Sequence, residues 1–114
     1  MKAVKLNELQ LVCNTDDLVP GSGICALVGG RQIAVFYLPE MSPAVYAIGN
    51  WDPAGKANVL SRGIVADVGG ELTVASLLYK HHFSLTTGQC LEEVALSVPV
   101  YETCFDSNQL FVRL

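Results

Sequence analysis

Short runs of apolar and β-branched residues, each ended by turn-forming residues, dominate this sequence and restrict what it can fold into. Gly, Pro, Asn and Asp lie between the runs. Residues 59–68 are the best candidate for even one helical turn, and Gly63 interrupts them. Short runs separated by turn signals indicate strands. We therefore predict an all-β chain, with strands at residues 9–13, 24–28, 32–38, 44–50, 63–67, 71–76, 81–85, 98–104 and 109–114.

The connections between these runs are of two kinds. Gly29 and Gly30 join the second run to the third, and a glycine pair can adopt the positive φ angles of a tight hairpin turn. A three-residue connection with Gly88 in the left-handed conformation predicts another hairpin. Residues 51–63 and 76–82 are longer and irregular. Since compact β domains usually keep their connections short, we expect these two segments to carry a function.

The composition indicates one globular domain spanning residues 1–114. Half of the chain (51%) is hydrophobic and only 16% is charged, which excludes a disordered chain. This is apolar for a small domain, which has a large surface for its volume. We expect some apolar surface to stay exposed until a partner covers it. Free apolar surface would also permit self-association of the isolated chain.

Charge and hydropathy exclude two classes of partner. The net charge of −4 argues against nucleic acid, which requires clustered Lys and Arg. No stretch approaches the roughly 18 apolar residues of a membrane helix. The start of the chain, MKAVKLNELQLVC, lacks the apolar core of a signal peptide. We therefore expect a cytoplasmic protein that binds neither nucleic acid nor membrane.

The four cysteines do not form a recognisable metal or redox motif. They are far apart, and none belongs to a Cys-x-x-Cys pair. In a cytoplasmic protein, isolated cysteines are usually buried thiols. We predict buried, unpaired thiols at Cys13, Cys25, Cys90 and Cys104.

The remaining polar residues do not form a catalytic group. His81 and His82 are neighbours in a predicted strand, so their side chains point to opposite faces and cannot easily bind one metal ion. No nucleophile has a base beside it. The glycines of residues 21–23 do not open a βαβ unit, and the adjacent Glu92 and Glu93 fit a solvated turn. We expect no catalytic residue on this chain.

Both long connections resemble the cluster-binding loops of Rieske domains. Those loops carry Cys-x-His and Cys-x-x-His motifs, whose side chains hold a two-iron two-sulfur cluster. In this sequence Asp52 and Ala54 occupy the first pair of ligand positions, and Ser76 and Tyr79 occupy the second. These residues cannot replace two thiolates and two imidazoles. The resemblance implies an antiparallel Rieske-like β-sandwich or barrel, whose inserted subdomain (about residues 51–90) has lost its cluster and binds no metal or cofactor.

A Rieske-like chain without ligands is similar to the small subunits of assimilatory-type NAD(P)H nitrite reductases. The similarity runs from about residue 12 to residue 114 and rests on the order of four segments: Asp52-Pro53, VLSRG (59–63), ELTVAS (71–76) and FSLTTGQCLEE (83–93). Leu77 and His81 depart from the usual family residues, Pro and Gln. The resemblance implies a large partner subunit that carries siroheme, a 4Fe-4S cluster and FAD. That subunit would use NAD(P)H to reduce nitrite to ammonium, while the small subunit activates, stabilises or helps assemble it.

We interpret the former cluster tip as a docking surface for that partner. Apolar and aromatic residues at a loop tip are typical of interface anchors. The candidates are Trp51, Leu77, Leu78, Tyr79 and Lys80. Alternatively, Trp51, Leu77 and Leu78 form a local core in place of the cluster. Other functions compatible with the sequence are a standalone small-molecule or protein-binding β domain, an electron-transfer ferredoxin with an unrecognised cluster, and, least favoured, a small hydrolase.

Overall fold

The computed structural model describes residues 9–41, 44–78 and 81–114, and β-strands dominate this part of the chain. All nine predicted strands are present, with ends displaced by two residues or fewer. Short 3₁₀ turns lie at Thr15–Asp17 and Leu60–Arg62. The strands are β1 (Leu9–Asn14), β2 (Gly23–Val28), β3 (Arg31–Tyr37), β4 (Val45–Gly49), β5 (Trp51–Asp52), β6 (Ala57–Asn58), β7 (Ile64–Val68), β8 (Glu71–Ala75), β9 (His82–Ser84), β10 (Val100–Asp106) and β11 (Gln109–Arg113).

Six of these strands form an antiparallel sheet in the order β1-β11-β10-β4-β3-β2. Its two edge strands, β1 and β2, lie against each other, so the sheet is a nearly closed barrel. The β2–β3 hairpin turns at Gly29 and Gly30, whose φ angles are 56° and 77°. Both are positive, as the sequence predicted, because a two-residue turn of this kind requires them.

The chain between β4 and β10 builds a smaller unit on the outside of the barrel. β7, β8 and β9 form a three-stranded antiparallel sheet, and β5 pairs with β6 in a short hairpin. The first long connection is therefore partly regular, since it contains this hairpin and a 3₁₀ turn. The all-β barrel with an inserted unit is the fold class that the sequence predicted.

β3 is buried on both faces and joins the two units. Ile33 and Val35 point into the barrel, while Ala34 and Phe36 point outward toward the smaller sheet. Alternate side chains of a strand face opposite sides, so a strand between two cores reads as a continuous apolar run. The outward residues pack against a second group of buried side chains: Leu60, Val74, Phe83, Leu85, Cys90 and Val98. Burying an aromatic or aliphatic side chain contributes about 1.5–3 kcal/mol, so this contact fixes the inserted unit on the barrel.

Within the described ranges, no helix is long and apolar enough to cross a membrane.

Candidate functional site

The first long connection is anchored to the barrel by Asn50, which is 1% exposed. Its side-chain Nδ2 donates to the carbonyl oxygen of Asn58 (3.1 Å) and to Oε1 of Gln32 (3.3 Å). Its Oδ1 accepts a 2.7 Å hydrogen bond from the backbone NH of Ser61. One buried amide therefore fixes both ends of this loop. Sequence reasoning missed it, because an asparagine at the end of an apolar run indicates only a turn.

The next polar residue, Asp52, holds the tip of the same loop. Its carboxylate is completely buried, and Oδ1 accepts hydrogen bonds from the backbone NH groups of Ala54 (2.9 Å) and Gly55 (3.1 Å). Its carbonyl oxygen accepts from the NH of Lys56 (2.7 Å), which has a φ angle of 55°. The carboxylate thus accepts hydrogen bonds from two NH groups of a tight turn, in place of backbone carbonyl groups.

Ser76 occupies the corresponding place in the second long connection. Its hydroxyl is buried, donates to Oδ2 of Asp52 and accepts from the NH of Leu78 (3.3 Å). The NH of Ser76 donates to the carbonyl oxygen of His81 (2.9 Å), which closes the base of the loop. The structure therefore brings Asp52 and Ser76, two positions that the family resemblance assigns to cluster ligands, into direct contact.

Three large apolar side chains in these two loops are exposed. Trp51 is 49% exposed, Leu77 57% and Leu78 48%. Leu78 also lies over the first loop: a Cβ atom built on Gly55 would be 2.5 Å from its Cδ1. These half-exposed side chains do not form a closed local core. The other two docking candidates, Tyr79 and Lys80, lie outside the described residues.

The two histidines pair with two different carboxylates. His82 Nδ1 lies 2.6 Å from Oε2 of Glu92, whose Oε1 also accepts from the His82 backbone NH at 2.7 Å. His81 Nε2 lies 3.4 Å from Oε2 of Glu93. Partial burial would raise the pKa of Glu92, but the hydrogen bonds from His82 outweigh it and lower this pKa. Both pairs tie the end of the second loop to the segment after Cys90.

The cysteines differ from the prediction. Cys90 is buried as expected, and its pKa is raised by that burial. The prediction is wrong for Cys25 and Cys104, which are exposed, and Cys13 is only partly buried. Cys25 and Cys104 lie at strand positions that face solvent, an orientation that widely separated cysteines do not reveal in a sequence.

The residues present do not fit an iron–sulfur cluster. Ala54 has no donor atom, and both carboxylate oxygens of Asp52 already accept hydrogen bonds from protein groups. The Ser76 hydroxyl donates directly to Asp52, so these two side chains face each other and not a metal ion between them. In the described part of the chain, no three His, Cys, Asp or Glu side chains converge on a point that could hold a metal ion.

A separate open cleft of about 370 Å³ lies where β4 and β10 diverge. The two strands pair only at Ile48 with Val100 and at Ala47 with Tyr101. The volume is at the lower end of the range for small-molecule sites. Its lining residues are Val45, Tyr46, Ala47, Leu85, Thr86, Val100, Tyr101, Glu102 and Thr103.

Comparison with known proteins places this geometry in a family. Residues 8–113 match the sequence model of the Rieske-like [2Fe-2S] domain. The chain is 47% identical over 97 residues to the NADH nitrite reductase small subunit of Salmonella typhimurium. This match covers 85% of this chain and 89% of that protein. It is 46% identical to the solution structure of the nitrite reductase [NAD(P)H] small subunit from Erwinia carotovora. That match has a TM-score of 0.77 and covers 96% of this chain and 83% of the other.

A further relative shows the same kind of sequence within a longer chain. The nitrite reductase [NAD(P)H] large subunit of Klebsiella oxytoca is 45% identical to this chain over 82 residues. The match covers 71% of this chain but only 8% of the large subunit. A segment similar to this chain is therefore built into that large subunit.

Proposed function

Because the chain belongs to the Rieske-like [2Fe-2S] domain family, we propose that it is the small, cofactor-free subunit of an NAD(P)H nitrite reductase. In this role it supports the reduction of nitrite to ammonium by a large subunit. The observation that carries the proposal is the 47% identity over 89% of a nitrite reductase small subunit. The replaced ligand positions support the cofactor-free part, since Asp52 and Ser76 bind each other.

The partner is the large subunit of the same enzyme. The similar segment within the Klebsiella oxytoca large subunit supports this, because domains fused in one protein often associate as separate chains in another. By this proposal, siroheme, the 4Fe-4S cluster, FAD and the NAD(P)H site all belong to the large subunit. The complex would act in the cytoplasm.

The docking surface in this proposal is the former cluster tip. It comprises Trp51, Leu77, Leu78, Tyr79 and Lys80. The first three have half-exposed apolar side chains, and they belong to the two loops that Asp52 and Ser76 join. Large apolar side chains exposed together at a tip lose unfavourable contact with water when a partner covers them.

Affinity purification tests the assignment to this enzyme. Tagged protein is recovered from its own host grown on nitrite, and the eluate is examined by mass spectrometry and visible spectroscopy. We expect a large subunit to co-purify with siroheme absorption. A colourless protein recovered alone under these conditions would contradict the proposal and favour a standalone binding domain.

Paired variants test the docking surface. The double substitution Leu77→Ser/Leu78→Ser is expected to weaken binding to the purified large subunit by roughly tenfold or more. Leu27→Ser is the matched control, since Leu27 is 75% exposed on β2, outside the two loops. Isothermal titration calorimetry gives the affinities of the wild type, the double variant and the control variant for the large subunit. Equal affinities for the wild type and the double variant would exclude the tip as the docking surface.

A further inference from the structure

We infer that Asp52 and Ser76 are positioning residues: their hydrogen bond holds the two loops together and shapes the docking surface. This inference rests on the proposed function for its docking part. The hydrogen bond joins the loops at the two positions where the family resemblance places cysteine ligands. The chain thus keeps a link between the loops but makes it from a carboxylate and a hydroxyl.

Each of the two side chains also fixes the backbone of its own loop. Asp52 binds the NH groups of Ala54 and Gly55, and Ser76 binds the NH of Leu78. The link therefore connects one ordered turn to another. A shift of either side chain would move backbone groups on both sides of the tip.

The position of Leu78 follows from this link. Leu78 follows Ser76 by two residues and lies over Gly55, so closely that a Cβ atom on Gly55 would be 2.5 Å from Leu78 Cδ1 and 3.0 Å from Asp52 Oδ2. Glycine is thus the residue that leaves room for both. The arrangement places Leu78 against the first loop before any partner binds. A surface ordered in advance binds more tightly, because less conformational entropy is lost on association.

Burial and the charge of the acceptor both favour this hydrogen bond. Both side chains are almost completely buried, and the acceptor is a carboxylate, so solvent competes little for the bond. Removing the hydroxyl would leave Oδ2 of Asp52 buried without its partner. Buried acceptors left without partners are costly, so the loops would separate or admit water.

The test compares two buried serines of the same unit. Ser76→Ala removes the loop-to-loop hydrogen bond. Ser84→Ala is the control, since Ser84 is equally buried and its hydroxyl also donates to a carboxylate, Oε2 of Glu71, at 2.5 Å. Ser84 lies on β9, outside the two loops. Affinity for the purified large subunit is measured by calorimetry, and amide hydrogen exchange is measured by NMR on the small subunit alone.

We expect Ser76→Ala to bind roughly tenfold more weakly and to accelerate exchange at the amides of Ala54, Gly55 and Leu78 by a similar factor. Ser84→Ala should leave both quantities within about twofold of the wild type. Asp52→Asn keeps an acceptor for the turn and a polar group facing Ser76, so it should retain most of the affinity. If Ser76→Ala does not fold, Ser76→Cys weakens the same bond, because a thiol is a weak hydrogen-bond donor, and it leaves the bonds of Asp52 to Ala54 and Gly55 in place.

The outcomes separate this inference from the proposed function. A wild-type chain that does not bind the large subunit would contradict the proposed function. It would also overturn the part of this inference that concerns docking. The exchange data, which need no partner, would still decide whether the bond orders the loops. Wild-type binding with unchanged affinity and exchange in Ser76→Ala would overturn the inference alone. So would equal losses in Ser76→Ala and Ser84→Ala, since they would reflect general destabilisation.

Discussion

The carbonyl oxygen of Val98 occupies the space that a side chain at Gly88 would need. A Cβ atom built on Gly88 would lie 2.0 Å from this oxygen, and Gly88 has a φ angle of 80°. The Gly88 carbonyl in turn accepts a hydrogen bond from the NH of Val98 (2.9 Å). The turn after β9 is therefore held against the segment that leads into β10.

Substituting Gly88 with alanine is expected to destabilise the fold strongly. The new methyl group would clash with backbone, which cannot move aside cheaply, and the left-handed conformation adds strain. We expect a loss of about 3 kcal/mol or more in the free energy of unfolding, measured by urea denaturation. Gly69→Ala is the control, since Gly69 also has a positive φ but open space around it. Its cost should be about 1 kcal/mol; equal losses would show that the contact with Val98 is unimportant.

Replacing Asn50 with alanine should release the first loop from the barrel. The substitution leaves the NH of Ser61 and the carbonyl oxygen of Asn58 without their side-chain partner. We expect a loss of about 2–3 kcal/mol in the free energy of unfolding. Asn58→Ala in the same hairpin removes an exposed side chain, so it should cost less than about 0.5 kcal/mol. Similar melting temperatures for the two variants would argue against the anchoring role of Asn50.

Glu71 should make the stability of the fold depend on acid pH. Hydrogen bonds from Ser84 (2.5 Å) and Thr86 (3.0 Å) lower the pKa of its carboxyl group. A lowered pKa in the folded state means that the carboxylate stabilises the fold above the pKa of the unfolded chain, about 4.3. This contribution is lost as the pH falls through the lower, folded pKa.

Urea titrations from pH 7 to pH 2.5 measure this effect. The wild type should be more stable than Glu71→Gln near neutral pH, and the difference should shrink as the pH falls below about 4. In a Ser84→Ala/Thr86→Ala background, Glu71→Gln should no longer change the pH dependence. A difference that is constant across the whole range would contradict this account of Glu71.

The fold could be predicted from the sequence because its signals are local. Gly29 and Gly30 sit between two apolar runs and specify a hairpin, and the φ angle of Gly88 was predictable from its place in a short connection. The continuous apolar run that became β3 was visible as a strand. Its burial between two cores was not, because that depends on residues as far along the chain as Val112.

The site was less predictable, because its contacts join residues distant in sequence. Asn50 looks like a turn residue, and only the folded chain brings it to Gln32 and Ser61. Asp52 and Ser76 could be assigned to former ligand positions from the family resemblance alone, which gave no sign that they bind each other. The strands of the β5–β6 hairpin have two residues each, too few to show the alternation of apolar and polar residues that indicates a strand.

The four cysteines should react at different rates because their environments differ. Cys25 and Cys104 are exposed, whereas Cys90 is buried. Burial and the nearby charge of Asp17 raise the pKa of Cys13, and burial raises the pKa of Cys90. Since the thiolate is the reactive form, a raised pKa slows alkylation at neutral pH.

Timed alkylation with iodoacetamide at pH 7.5, followed by peptide mass spectrometry, measures each thiol separately. We expect Cys25 and Cys104 to be modified first, Cys13 more slowly, and Cys90 only at the rate at which the fold opens. In the destabilised Gly88→Ala variant, Cys90 should react faster while Cys25 changes little, because only buried thiols depend on opening. Modification of Cys90 as fast as Cys25 in the wild type would show that the core between the two sheets is not closed.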